Sequence, residues 1–161
     1  MKIFKEEQRF TQWWLWILLI TINGLFLYGT YQQLFLKIPY GDNPMPNSML
    51  IITTLVLLCF TSFFYFTKLE TRIDEHGIHY RFYPINLNYK KIPWKDINEV
   101  NVIKYRPITD YGGWGIKGNA VNVKGNIGIK IYTKDNKNKL IGTQKENEAR
   151  SVLETYKLKK Q

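Results

Sequence analysis

The sequence predicts a two-helix transmembrane hairpin followed by a mainly-β domain of about seven antiparallel strands with one C-terminal helix. Three observations lead there. Two long stretches carry no charge, the residues beyond them alternate apolar and polar with period two, and the last stretch changes to helical period.

From Phe10 to Leu36 there is no Asp, Glu, Lys or Arg, and from Asn43 to Thr67 there is again none. About 20 mainly apolar residues suffice for a helix to cross the hydrocarbon core. Backbone groups in lipid must be satisfied within the segment, so each stretch is expected to be helical. Residues 1–67 are thus read as a hairpin, with spans at about 13–32 and 48–67 and a short external loop at 33–47. A cleaved leader would share the basic start at Lys2, Lys5 and Arg9. The Trp13, Trp14 and Trp16 cluster and the lack of a small-residue cleavage site argue against one.

Basic residues near span ends set orientation. Lys2, Lys5 and Arg9 precede the first span and Lys68 and Arg72 follow the second, whereas the loop between them holds only Lys37. Both termini are therefore expected in the cytoplasm, with the chain in the cytoplasmic (inner) membrane as a multi-pass protein. Trp13, Trp14, Trp16 and residues Phe63, Phe64, Tyr65 and Phe66 suit the inner interface, and Tyr28 and Tyr31 the outer one. Thr21, Asn23 and Gly24 read as helix packing, since no ionisable residue marks a translocation path.

Residues 68–161 hold 19 of the 23 Lys and Arg and 10 of the 13 Asp and Glu; the whole chain carries +10. Ile78, Tyr80 and Phe82 alternate with His79, Arg81 and Tyr83, and Ile127, Ile129 and Ile131 with Gly128, Lys130 and Tyr132. Val121 and Val123 flank Asn122, and Val100 and Val102 form another such run. Period two marks half-buried strands. Asp74-Glu75-His76-Gly77, Tyr83-Pro84 and Asp135–Asn138 supply the turns between them. At the end, Ala149, Val152, Leu153 and Tyr156 fall on one helical face. Thr143 and Glu146 make a T-x-x-E capping box that places the helix start near Gln144. Lys157, Lys159 and Lys160 suit the negative end of its dipole.

Gly113-Trp114-Gly115-Ile116-Lys117-Gly118 fits G-x-G-x-x-G. A dinucleotide fingerprint needs a strand before it and a helix after it. Here Asn, Val and Gly follow with no helical period, so no cofactor is expected. Gly112, Gly113, Gly115 and Gly118 read instead as structural residues that let strands bend at corners. Trp114 reads as a large apolar plug, with an exposed aromatic contact as the alternative. In that alternative Arg106, Tyr111, Trp114 and Lys117 form a candidate binding surface for a peptide or a headgroup.

His76 and His79 are the only histidines, and the soluble part has no Cys to complete a zinc set, so no metal is expected. Asp74 and Glu75 read as turn residues. No nucleophile elbow or paired carboxylate setting is present, so the chain reads as no enzyme. The basic excess has three readings: a solvated surface, contact with the anionic leaflet, and nucleic acid, in that order. Leaflet contact would use Lys2, Lys5, Arg9, Lys68, Arg72, Lys90, Lys91 and Lys95, each contributing about 1 kcal/mol close to the surface.

The segments DEHGIHYRF, KIPWKDINEVNV, GGWGIKG and GIKIYTKDNKNKLIGTQ, placed after two spans and before a final helix, resemble small bacterial membrane proteins with a pleckstrin-homology-like domain. The resemblance implies a two-sheet, barrel-like sandwich of roughly seven strands with a C-terminal helix, and binding or scaffolding in place of catalysis. Phosphoinositide binding does not carry over, because the turn taken as the first one is the acidic Asp74-Glu75-His76-Gly77. The expected role is a membrane-anchored binding module engaging a protein, a peptide or anionic lipid headgroups; a second copy of the chain stays open as a partner. The alternative is a structural subunit of a membrane assembly, with Asn23, Gly24 and Gly29 facing partner helices.

Overall fold

The computed structural model describes residues 3–158. They fall into two compact units, one of residues 11–66 and one joining residues 3–10 to 67–158.

In the first unit, α1 (Trp13–Leu34) and α2 (Asn47–Phe66) are each long and apolar enough to cross a membrane. Only 17% and 11% of their most apolar windows are buried, which is not the state of core helices in a soluble protein. Polar contacts join them: Asn23 Nδ2 donates to Thr61 Oγ1 at 2.7 Å, the Thr30 and Thr54 hydroxyls pair at 2.9 Å, and Gln33 Nε2 donates to Asn47 Oδ1 at 2.7 Å. Trp16 and Tyr65 meet edge-on with ring centroids 6.4 Å apart. Asn23 and Gly29 are buried within the hairpin, while Thr21 and Gly24 are exposed.

The second unit begins with a strand that the sequence reading missed. Residues ahead of the first span were read as a basic flank of the hairpin, and the β domain was expected to begin at residue 68. Instead β1 (Phe4–Arg9) pairs antiparallel with β2 (Lys68–Asp74), from Phe4 opposite Ile73 to Arg9 opposite Lys68. The helical hairpin is thus an insertion between two neighbouring strands. The reason is physical: β1 buries Phe4, Glu6 and Gln8, so two of its three inward side chains are polar and no apolar alternation appears.

β3 (Gly77–Tyr83) and β4 (Lys90–Pro93) complete a four-stranded sheet in the order β1-β2-β3-β4. After a 3₁₀ turn at Trp94–Asp96 come β5 (Ile97–Lys104), the short α3 (Pro107–Tyr111), β6 (Gly115–Lys117), β7 (Ala120–Asn122), β8 (Ile127–Thr133) and β9 (Asn138–Gly142). These strands make a second sheet, in the order β5-β8-β9-β7-β6. Among the described residues nine strands therefore replace the expected seven. β7 runs parallel to β9, against the expectation of an all-antiparallel domain, and the two sheets do not close into a barrel.

The core forms where Leu69, Ile73, Ile78 and Phe82 of the first sheet and Val100, Ile129, Ile131 and Ile141 of the second are buried. α4 (Glu146–Leu158) adds Ala149, Val152, Leu153 and Tyr156, the four residues its period predicted. Trp94 stacks on Tyr156 at 5.2 Å and donates its Nε1–H to the Asp74 carbonyl at 2.7 Å, which ties helix, turn and sheet together.

The capping box does not form. Thr143 Oγ1 donates to Glu6 Oε2 at 2.6 Å and accepts the Lys145 amide at 3.2 Å, while Glu146 pairs with Arg150 at 2.8 Å. The helix consequently starts at Glu146, two residues later than expected. The Thr143 amide that Glu146 would have capped donates instead to the Ile127 carbonyl at 2.9 Å, and Glu6 of β1 accepts the next amide, that of Gln144, at 2.7 Å. Lys159 and Lys160 lie outside the described residues; Lys157 donates to Asn101 Oδ1 at 2.9 Å.

Of the four glycines expected to bend strands, only Gly115 lies in a strand, at the start of β6. Gly112 sits in the left-handed conformation that ends α3 (φ 68°), and Gly118 (φ 51°) lies in the turn between β6 and β7. Gly113 and Gly115 also have positive φ, and a Cβ at any of the four would meet nothing within 4 Å. Backbone conformation, and not close approach, is what selects glycine there.

Candidate functional site

Side chains alternate across a sheet, so residues in register on one face form rows. On the outward face of the first sheet, Arg9, Lys68 and Tyr83 make one row and Glu7, Glu70 and Arg81 the next. Lys5, Arg72, His79 and Lys91 make the third, one residue from each of the four strands. A groove of about 700 Å³ lies over this third row, walled by Glu70 and Tyr89 on one side and by Asp74 and His76 on the other.

The groove's carboxylates are all engaged by the protein itself. Glu7 pairs with Lys68 at 2.8 Å and with Arg9 at 2.8 Å. Glu70 takes Lys68 at 2.7 Å, Arg81 at 2.6 Å and the Tyr89 hydroxyl. Burial pushes the Glu70 carboxyl up, but Arg81, Lys68 and Tyr89 together outweigh it and hold its pKa at about 2. The same burial and the Glu70 carboxylate raise the Tyr89 phenol above its ordinary value.

Asp74 is buried and makes four contacts. Arg72 Nε lies 3.0 Å from Oδ2, and His79 Nε2 lies 3.2 Å from Oδ1. The His76 amide donates at 2.9 Å, and the His76 ring stands 3.7 Å away. Burial opposes its charge, yet the His76 amide and His79 prevail and keep its pKa below the ordinary value. Because His76 sits in the turn and only His79 in the strand, both reach one Asp74 oxygen.

Lys5 and Lys91 remain. Both are exposed, they flank Arg72 and His79 at the two ends of the row, and neither makes an ion pair among the described residues. The arrangement is a polar groove whose negative charges are neutralised internally and whose outer cations are uncommitted. Its chemistry suits an anionic guest.

The residues expected to touch a leaflet thus separate. Lys5, Arg72 and Lys91 share the groove, and Arg9 and Lys68 share the row at the sheet end where β1 leads out to the helices. Lys90, in register with the buried Tyr80, is exposed on the other face of the sheet, and Lys95 is exposed in the 3₁₀ turn. Lys2 lies outside the described residues.

The other candidate surface is spread among different neighbours. The Arg106 amide donates to Asp110 Oδ2 at 2.8 Å, and Tyr111 packs edge-on against Tyr105 at 5.7 Å. Trp114 is half-buried rather than a core plug, with its Nε1–H 3.1 Å from the Gly125 carbonyl. Lys117 is exposed on the edge strand β6. The G-x-G-x-x-G stretch runs into the β6–β7 hairpin, not into a helix. The groove itself was missed because its row depends on strand register, which only the pairing reveals.

A model of a family of unknown function, DUF6141, matches residues 1–154. No curated protein matches the chain.

Proposed function

The chain belongs to the DUF6141 family, and we propose that it is a membrane-anchored, non-catalytic binding module with a pleckstrin-homology-like strand domain on the cytoplasmic face. In this reading the groove over Lys5, Arg72, His79 and Lys91 takes an acidic segment of a protein partner. The observation that carries it is the pair of uncommitted lysines at the ends of a groove whose own carboxylates are all paired.

Connectivity supports one-sided placement. β1 and β2 are hydrogen-bonded neighbours, so the segments on either side of the helical hairpin belong to one folded body. Two spans returning to the same body would leave it on one side of a bilayer, and the excess of Lys and Arg outside the 33–47 loop supports the cytoplasmic side. Two sheets followed by a helix is also the element order that the pleckstrin-homology resemblance implies.

A protein segment fits the groove better than a headgroup does. Rows on one face repeat every two residues, so the third row stands about 13 Å beyond the row of Arg9 and Lys68. Attraction to the leaflet falls off within a Debye length of about 8 Å. The assembly reading loses ground, because Asn23 and Gly29 are used inside the chain's own hairpin.

The test is titration of the full chain, in nanodiscs of neutral lipid, with a fluorescent Asp/Glu-rich peptide. Salt-sensitive binding that weakens about thirtyfold in Lys5→Ala/Lys91→Ala supports the reading, as each charge-assisted contact is worth roughly 1 kcal/mol and about 1.4 kcal/mol is tenfold. Binding unaffected by that double variant overturns it. Loss of peptide binding on moving to anionic nanodiscs assigns the groove to headgroups instead.

A further inference from the structure

The loop at 84–89, between β3 and β4, exposes apolar side chains that the sheet does not use. Ile85 is 54% exposed and Leu87 66%. The loop is nevertheless held. The Asn86 amide donates to the Phe82 carbonyl at 2.8 Å, and Arg81 donates to the Leu87 carbonyl at 3.2 Å. The Arg81 guanidinium lies 4.6 Å from the Tyr89 ring, and the Tyr89 hydroxyl is fixed on Glu70. Fixing the backbone while the two aliphatic tips stay in water costs hydrophobic free energy unless something covers them.

Register says where the loop emerges. Tyr83, the last residue of β3, is opposite Lys68, which is opposite Arg9. Two strand spacings, about 10 Å, therefore separate the start of the loop from the strand end where the chain leaves for α1. Only Thr67 stands between β2 and α2, and only residues 10–12 between β1 and α1. The apolar tips share this end of the sheet with the ring of Tyr83 and with Arg9, Lys68 and Arg81, three cations that share only the carboxylates of Glu7 and Glu70 and so leave a net positive charge there.

We propose that the 84–89 loop is a second membrane contact, with Ile85 and Leu87 seated in the interfacial layer of the leaflet from which the helical hairpin emerges. This rests on the proposed membrane anchoring. A bilayer is the fitting occupant because aliphatic tips, tyrosines and basic groups at one level match the gradient from acyl chain to headgroup.

The experiment uses the full chain in anionic nanodiscs with one environment-sensitive fluorophore per protein. Cys59 in α2 is the only native cysteine and reports on the span. Ile85→Cys, Leu87→Cys and Glu75→Cys are made in a Cys59→Ala background. Glu75 is exposed in the turn at the other end of the same strands, about 20 Å away. The expected result is that labels at 85 and 87 are quenched by lipid-borne nitroxide and protected severalfold from aqueous iodide, with the label at 75 behaving oppositely. If 85 and 87 respond like 75 while the Cys59 label is shielded by lipid, the loop contact is refuted and the anchoring stands. If the Cys59 label is itself open to iodide, the anchoring fails and the loop contact with it.

Discussion

Glu6 and Thr143, 137 positions apart, are joined by a 2.6 Å hydrogen bond, and the other oxygen of the same carboxylate accepts the Gln144 amide at 2.7 Å. A residue near the start of the chain therefore fixes the entry of the last helix. Gln8 does the same for the second sheet, donating to the Gly142 carbonyl at 2.6 Å. The bonds are buried, so removing one partner strands the other away from water.

Glu6→Ala and Thr143→Val should each destabilise the folded chain by about 1–3 kcal/mol, the cost of leaving the remaining buried partner unsatisfied. The double variant should cost less than the sum, because both changes break the same bond. Denaturant titration in detergent, followed by tryptophan fluorescence, measures the cycle. Strict additivity would mean the bond contributes nothing.

A second expectation follows from Arg9 standing opposite Lys68. Replacing Thr11–Phe66 by a short Gly-containing turn should give a soluble, cooperatively folding domain, since antiparallel neighbours need only a tight connection. A fragment of residues 68–161 lacks β1 and leaves the β2 edge unpaired, so it should aggregate or unfold more readily. Gel filtration without detergent, with amide exchange on β2, distinguishes the two.

How much of this was legible beforehand depends on side-chain chemistry. β3, β8 and α4 announced themselves because their inward positions are uniformly apolar. β1 was hidden because Glu6 and Gln8 point inward and are satisfied by residues near the other end of the chain. β6 has three residues, too few to show a period, whereas β7 was signalled by Val121 and Val123 on either side of Asn122. Lys5, Arg72 and Lys91 were recognisable as a basic set. Their alignment with His79 was not, since register across four strands carries no local signal.

Glu70 makes a pH prediction. Its folded pKa of about 2 lies below the ordinary 4.5, so its ion pairs stabilise the fold fully above pH 4.5 and progressively less as pH falls toward 2. Glu70→Gln should lower stability at neutral pH, and the gap from the parent chain should shrink over that acid window. Asp74, also depressed, contributes with the same sign. Thermal midpoints of both proteins between pH 7 and pH 2 give the comparison, and a gap that stays constant would exclude Glu70 as the titrating group.

Asp74→Asn reverses the usual expectation that breaking an ion pair harms function. Asn keeps an oxygen for the His76 amide, so the β2–β3 turn survives, while Arg72 and His79 lose their counter-charge. The groove then holds two further uncommitted donors beside Lys5 and Lys91, and an acidic peptide should bind severalfold tighter, with steeper salt dependence. Net charge alone would produce the same sign, so the control is Asp135→Asn in the exposed β8–β9 turn, which changes the total equally. Fluorescence titration of the nanodisc-held proteins should show tightening for Asp74→Asn and none for Asp135→Asn. Equal tightening in both would place the binding in the chain's diffuse positive field, with the groove as a bystander.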